Sequence, residues 1–135
     1  MALTSPSSWR RIPERYGLEG NCCENCKTCY FPPRSVCTNC RRKGKLADKK
    51  FSGRGKIYSF TEVFVPPEGF ELEAPYLLAI IELEEGPKIT GQVVEAIEAE
   101  AKIGAPVEMV FRRIQESGEE GLIHYGFKFR LAEKA

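Results

Sequence analysis

The chain has 135 residues, of which 42% are apolar and 29% charged, with a formal net charge of +1. That length supports one compact unit, or a small core with an appended mini-domain. Near-neutrality excludes a global field that would gather nucleic acid or a membrane surface, though a local basic stripe survives an even total.

Residues 1–17 lack the apolar centre of a signal peptide, and no run approaches the ~20 apolar residues of a membrane span, so a cytoplasmic location is expected. All six cysteines fall between Cys22 and Cys40. In a reducing compartment such a cluster points to metal ligation before disulfides.

In chain order, residues 5–17 read as a short helical arm. Ser5 caps it, Pro6 suits the first turn, and Trp9, Ile12 and Tyr16 recur at helical spacing. Pro13 predicts a kink or two short turns. Arg10, Arg11 and Arg15 line the other side. The stripe either packs on its own domain or docks into a partner's groove.

The cysteine module follows, as Cys23-x2-Cys26, ten residues, and Cys37-x2-Cys40. Two CxxC turns present paired sulfurs to one point, and four thiolates at about 2.3 Å satisfy tetrahedral zinc. A closed four-Cys site leaves no position for water, so its role is structural, the metal standing in for a core. Cys26 also forms a CxxC with Cys29, so Cys26/Cys29 is an alternative first pair. Such knuckles favour Gly after the second Cys, where Lys27 and Arg41 stand here. Cys22 and Cys29 are left as free thiols. Iron fits the same donor set, and sequence does not separate the two metals.

Residues 41–50 read as a basic linker. Strand-like segments then span 53–65, 75–83, 88–94, 106–114 and 121–131, broken by Pro66-Pro67-Glu68-Gly69, Glu85-Gly86-Pro87 and Ser117-Gly118. Residues 95–104 read as a helical turn ending at Gly104. Five strands with a helix after the third match an OB barrel, with a small β-sandwich as the rival. The expected fold is therefore mostly β, with an N-terminal helical arm (1–19), a rubredoxin-like zinc ribbon (20–45) and a five-stranded OB-fold domain (46–135). On the last strand, alternation places Ile123, Tyr125, Phe127 and Phe129 in the core and His124, Gly126 and Lys128 outside.

The segments Leu18-Glu19-Gly20-Asn21, Tyr30-Phe31-Pro32-Pro33-Arg34, Trp9 to Tyr16, Gly53-x-Gly55-Lys56-Ile57-Tyr58-Ser59-Phe60-Thr61, Ala74-Pro75-Tyr76, Ile103-Gly104-x-Pro106-Val107 and Tyr125-Gly126-Phe127-Lys128-Phe129 carry a resemblance. With the two CxxC turns they make the chain resemble the zinc-ribbon plus OB-fold family of unknown-function domains that accompanies thiolases and acyl-CoA enzymes. The resemblance covers almost the whole chain and favours Cys23, Cys26, Cys37 and Cys40 as the ligands, although Lys27 departs from the usual Gly. It implies a non-catalytic partner, similar to the archaeal subunit that joins acetoacetyl-CoA thiolase to hydroxymethylglutaryl-CoA synthase. There acetoacetyl-CoA passes through a shared CoA site early in the mevalonate route to isoprenoids. Bacterial members accompany steroid-degrading thiolases or hydratases instead.

A catalytic site of the chain's own is not expected. Its one histidine, His124, has no motif-level partner, Cys22 and Cys29 lie in no Cys/His constellation, and Glu84-Glu85 sits at a turn. CoA phosphates would call on cations, for which Arg54, Lys56, Arg112, Arg113 and Lys128 are candidates beside their plainer reading as solvated strand charges. Partner contact is assigned to Trp9, Ile12, Tyr16, Phe31 and Arg34, because two prolines stiffen the loop that presents Phe31 and Arg34. The alternative function is a single-stranded nucleic-acid-binding ribbon and barrel, with Tyr58, Phe60 and Phe64 stacking bases; near-neutral charge counts against it.

Overall fold

The computed structural model describes residues 5–96, 100–116 and 121–132. The arm forms two short helices, α1 (Ser5–Arg10) and α2 (Ile12–Gly17), broken at Arg11, with Pro13 placed near the start of α2 where a missing N–H costs nothing. Leu18 ends α2 in a left-handed conformation (φ 50), its N–H donating to the Pro13 carbonyl. Its side chain is fully buried in the main core, which anchors the arm.

Strands β1 (Glu19–Cys23), β2 (Cys29–Tyr30) and β3 (Leu46–Lys50) make a small antiparallel sheet in the order β2-β1-β3. Half of the expected basic linker is thus strand: β3 runs in register from Glu19↔Lys50 to Cys23↔Leu46. Its charges sit on exposed positions of an outer strand, which is why it reads as linker. Gly20 of β1 is forced, since a Cβ there would lie 2.2 Å from the Tyr30 carbonyl oxygen and 2.7 Å from the Phe51 ring.

The barrel comprises β4 (Arg54–Val63), β5 (Tyr76–Leu83), β6 (Lys88–Val94), β7 (Pro106–Glu116) and β8 (Ile123–Leu131). It closes in the order β4-β5-β6-β8-β7, with β6 and β8 parallel and every other pair antiparallel. This closed order establishes the five-strand OB barrel over the sandwich. Period-two alternation sends Leu77, Ala79, Ile81 and Leu83 of β5 inward to meet Ile57, Ile89, Val93, Val107 and Phe129. Of the expected helical turn at 95–104, residues 97–99 lie outside the described residues; no helix is assigned to the rest, and Gly104 takes φ +87.

Alternation fails in two places. A bulge between Ile57 and Ser59 leaves Tyr58 unpaired and exposed while Phe60 packs on the core, so the two aromatics do not share one face. On β8, Phe129 is buried and Phe127 packs against the core, but Tyr125 and Ile123 are 37% and 42% exposed. The cause is length. β6 meets β8 only at Val93↔Phe129 and Val94↔Arg130, so residues 123–127 pair with β7 alone, outside the closed barrel.

Candidate metal centre

Cys23 ends β1 and Cys26 follows one tight turn later, with the Lys27 N–H donating to the Cys23 carbonyl at 2.9 Å. The second knuckle repeats the device, the Arg41 N–H donating to Cys37 at 2.8 Å. Lys27 and Arg41 both take left-handed backbones, φ 61 and φ 53. The positions where Gly is usual therefore keep the geometry with side chains that pay a steric cost of about 1 kcal/mol each.

The Sγ atoms of Cys23, Cys26, Cys37 and Cys40 all lie within 4.8 Å of one another, so these four can hold a metal ion. Cys23 and Cys37 are buried, Cys26 and Cys40 half-buried. A surrounding set of polar groups fits thiolate ligands. The Thr28 hydroxyl stands 3.4 Å from Cys26 Sγ, Asn25 Nδ2 donates to Cys40 Sγ at 3.2 Å, and the Tyr30 hydroxyl lies 3.4 Å from Cys37 Sγ. Hydrogen bonding to Thr28 lowers the Cys26 thiol to about 6, and the Tyr30 hydroxyl lowers Cys37. Against the Asn25 hydrogen bond, burial and the neighbouring thiols raise Cys40 to about 11. Bound metal would hold all four as thiolates.

Cys29 takes no part in this convergence. It is bonded to Cys22, its register partner across β1 and β2, with Cα atoms 3.9 Å apart. The expectation of two free thiols is corrected: side-by-side strands bring together residues that are seven positions apart in sequence. Thr28, Tyr30 and Asn25 escaped sequence reading because nothing in their spacing marks them as supports.

The expected partner residues divide. Trp9 is 76% exposed, whereas Tyr16 meets Phe111 edge-on at 5.1 Å, and Phe111 stacks on Tyr125 at 5.3 Å. Ile12 is half-buried, and with Trp9, Tyr16, Leu122, Ile123 and Tyr125 it lines a shallow apolar groove of about 180 Å³. Phe31 packs between Phe51 (6.4 Å) and Phe127 (5.8 Å), joining the ribbon to the barrel. Arg34 is exposed, its guanidinium 5.2 Å from the Tyr30 ring, and buried Asn21 clamps its backbone through bonds of 2.6 and 3.2 Å.

The five candidate cations are not brought together. Arg54 lines a concavity of about 680 Å³ that also carries Glu84, Glu95 and Glu108. Arg112 pairs with Glu95 at 2.7 Å, Lys56 lies opposite Glu82, and Arg113 is exposed on β7. Lys128, expected outside, is only 5% exposed and pairs with Glu73 at 3.1 Å.

A family model described as "ChsH2, C-terminal OB-fold domain" matches residues 48–112. The chain is 53% identical over 126 residues to a DUF35 domain-containing scaffold protein of Methanocaldococcus jannaschii, covering 93% of this chain and 89% of that one. It is 28% identical over 113 residues to the benzoylsuccinyl-CoA thiolase subunit BbsA of Thauera aromatica, covering 84% and 75%. Among solved structures, a chain of an Ltp2-ChsH2(DUF35) aldolase matches with a TM-score of 0.68 at 25% identity, covering 97% and 98%.

Proposed function

The chain belongs to the family of DUF35 domain-containing scaffold proteins, and from that premise we propose that it is the non-catalytic subunit bridging acetoacetyl-CoA thiolase and hydroxymethylglutaryl-CoA synthase in the mevalonate pathway. The observation that carries the reading is the exposed apolar surface of the arm. Trp9 stands in solvent beside Ile12, Tyr16, Leu122 and Ile123, flanked by arginines, a composition that suits a partner groove with an acidic rim. A bridge needs a second face, and the β4–β5 loop offers one in exposed Phe64, Val65 and Leu72 among Glu68 and Glu71. Two faces of opposite charge suit two different enzymes.

Zinc in the four-cysteine centre has a structural role, holding a ribbon too small to carry a core of its own. The physical benefit of the bridge lies in thermodynamics. Thiolase condensation is uphill, and a second enzyme consuming acetoacetyl-CoA nearby pulls it forward. The shared CoA site then lies chiefly on the enzymes, since the chain's candidate cations are scattered and mostly matched by carboxylates.

The test is reconstitution of the three purified proteins. A ternary complex on size exclusion, lost when residues 1–17 are deleted from a protein that keeps its metal and barrel, is the expected result. If the truncated protein folds and still holds both enzymes, the arm is not the dock; if the intact chain holds neither enzyme, the bridging function is wrong.

A further inference from the structure

We propose that Cys22 and Cys29 form a redox-modification site, a dithiol–disulfide couple whose oxidation state sets how firmly the four-cysteine centre keeps its metal; this rests on the metal reading of that centre. The couple sits where two knuckles depend on one very short strand. β2 is only Cys29–Tyr30, and its pairing with β1 consists of Asn21↔Tyr30 and Cys22↔Cys29. So short a ladder has little stability of its own. The cross-link is its covalent anchor.

The residues on either side of Cys29 reach both halves of the metal centre. Thr28 accepts the Cys23 N–H on its carbonyl at 2.8 Å and sets its hydroxyl 3.4 Å from Cys26 Sγ. Tyr30 sets its hydroxyl 3.4 Å from Cys37 Sγ and receives the Thr38 N–H at 3.2 Å. Three of the four candidate ligands are thus supported by neighbours of a single cross-linked residue. The bond also occupies the Cys29 sulfur, which stands in CxxC spacing with Cys26 and would otherwise compete with Cys23 for the metal. Opening it loosens the supports and frees a rival thiol in one event, and both changes speed ligand exchange.

The pair is reachable. Both cysteines are half-buried and line an open concavity of about 320 Å³ with Lys27, Asp48 and Lys49. The reductant is a dithiol. One of its thiolates attacks a sulfur of the pair, the Cys22–Cys29 bond breaks, and the displaced cysteine leaves as a thiolate that takes a proton. The second thiolate of the reductant attacks the mixed disulfide, freeing the other cysteine and closing the reductant's own disulfide. Two electrons and two protons pass to the protein, and a disulfide of the same class reverses the step.

The experiment uses the full chain loaded with zinc and prepared without reductant. Alkylation followed by mass spectrometry reads the state of Cys22 and Cys29, and transfer of zinc to a chromogenic chelator is timed before and after treatment with a phosphine reductant. Protected cysteines, and zinc loss that is several-fold faster after reduction, are expected. A Cys22→Ser/Cys29→Ser variant should lose zinc faster than the oxidised protein without any reductant, and Cys22→Ser alone, with Cys29 free, faster still. Because reduction acts on the unaltered chain, the outcome does not hang on the variants folding. Equal rates in both states, or freely alkylated cysteines in the untreated protein, overturn the proposal alone. A chain that holds no metal in either state overturns the metal reading with it.

Discussion

The hydroxyl of Tyr30 stands 3.4 Å from Cys37 Sγ and 2.9 Å from the Thr38 hydroxyl, tying β2 to the second knuckle. It is the first cause of the lowered Cys37 thiol. A lowered thiol stays ionised to lower pH, so protons compete less with the metal. Tyr30→Phe removes this support, and the pH at which zinc is released should move upward. Zinc retention titrated from neutral pH downward measures the shift; an unchanged midpoint would show that Tyr30 only fills space.

Loss of a ligand should be far more severe. Cys37 is buried, and Cys37→Ser should abolish stoichiometric zinc and leave the ribbon unfolded or insoluble. Elemental analysis and proteolysis of residues 18–50 check this. The intact protein should be colourless. A red protein with thiolate-to-iron absorption would reassign the metal.

Gly20→Ala tests the junction between ribbon and barrel. The added methyl meets the Tyr30 carbonyl oxygen and the Phe51 ring, which cannot both retreat. A loss of about 2–3 kcal/mol is expected from such overpacking, measured by denaturant unfolding.

Lys128 and Glu73 make a pair in which the cation is buried and the carboxylate is 32% exposed. Glu73→Ala strands the ammonium, and the expected cost is about 2 kcal/mol, below that of a fully buried pair because water still reaches the site. Lys128→Met should cost less than Glu73→Ala, since it leaves no buried charge behind. The reverse order in thermal denaturation would contradict the pairing.

In the arm, Trp9 and Tyr16 should separate. Trp9→Ala should leave unfolding unchanged and weaken assembly with the proposed enzymes by about 2 kcal/mol, the size of an interface hot spot. Tyr16→Ala should cost the isolated protein about 1 kcal/mol through its edge-on contact with Phe111. Destabilisation by Trp9→Ala would place that side chain in the chain's own core.

What the sequence by itself determined is what short-range chemistry controls. Two CxxC spacings marked the cysteine turns, Pro13 marked the break between helices, and period-two alternation marked Phe127 and Phe129 as inward residues of β8. Five strand-like segments followed from apolar runs and the turn residues between them, whereas closure into a barrel came from the strand pairing. The tertiary structure decided everything that depends on a neighbour distant in the chain. β3 became a strand because β1 offers it a partner, not because its Lys-rich sequence prefers one. Tyr58 turned outward at a bulge, and Tyr125 lost its core position because β6 ends its pairing before reaching it. Cys22 met Cys29 through strand register, and Lys128 became buried because Glu73 lies 55 positions away to receive it. Periodicity reports which face a side chain takes along one strand, whereas burial is set by what the closing of the barrel brings opposite that face.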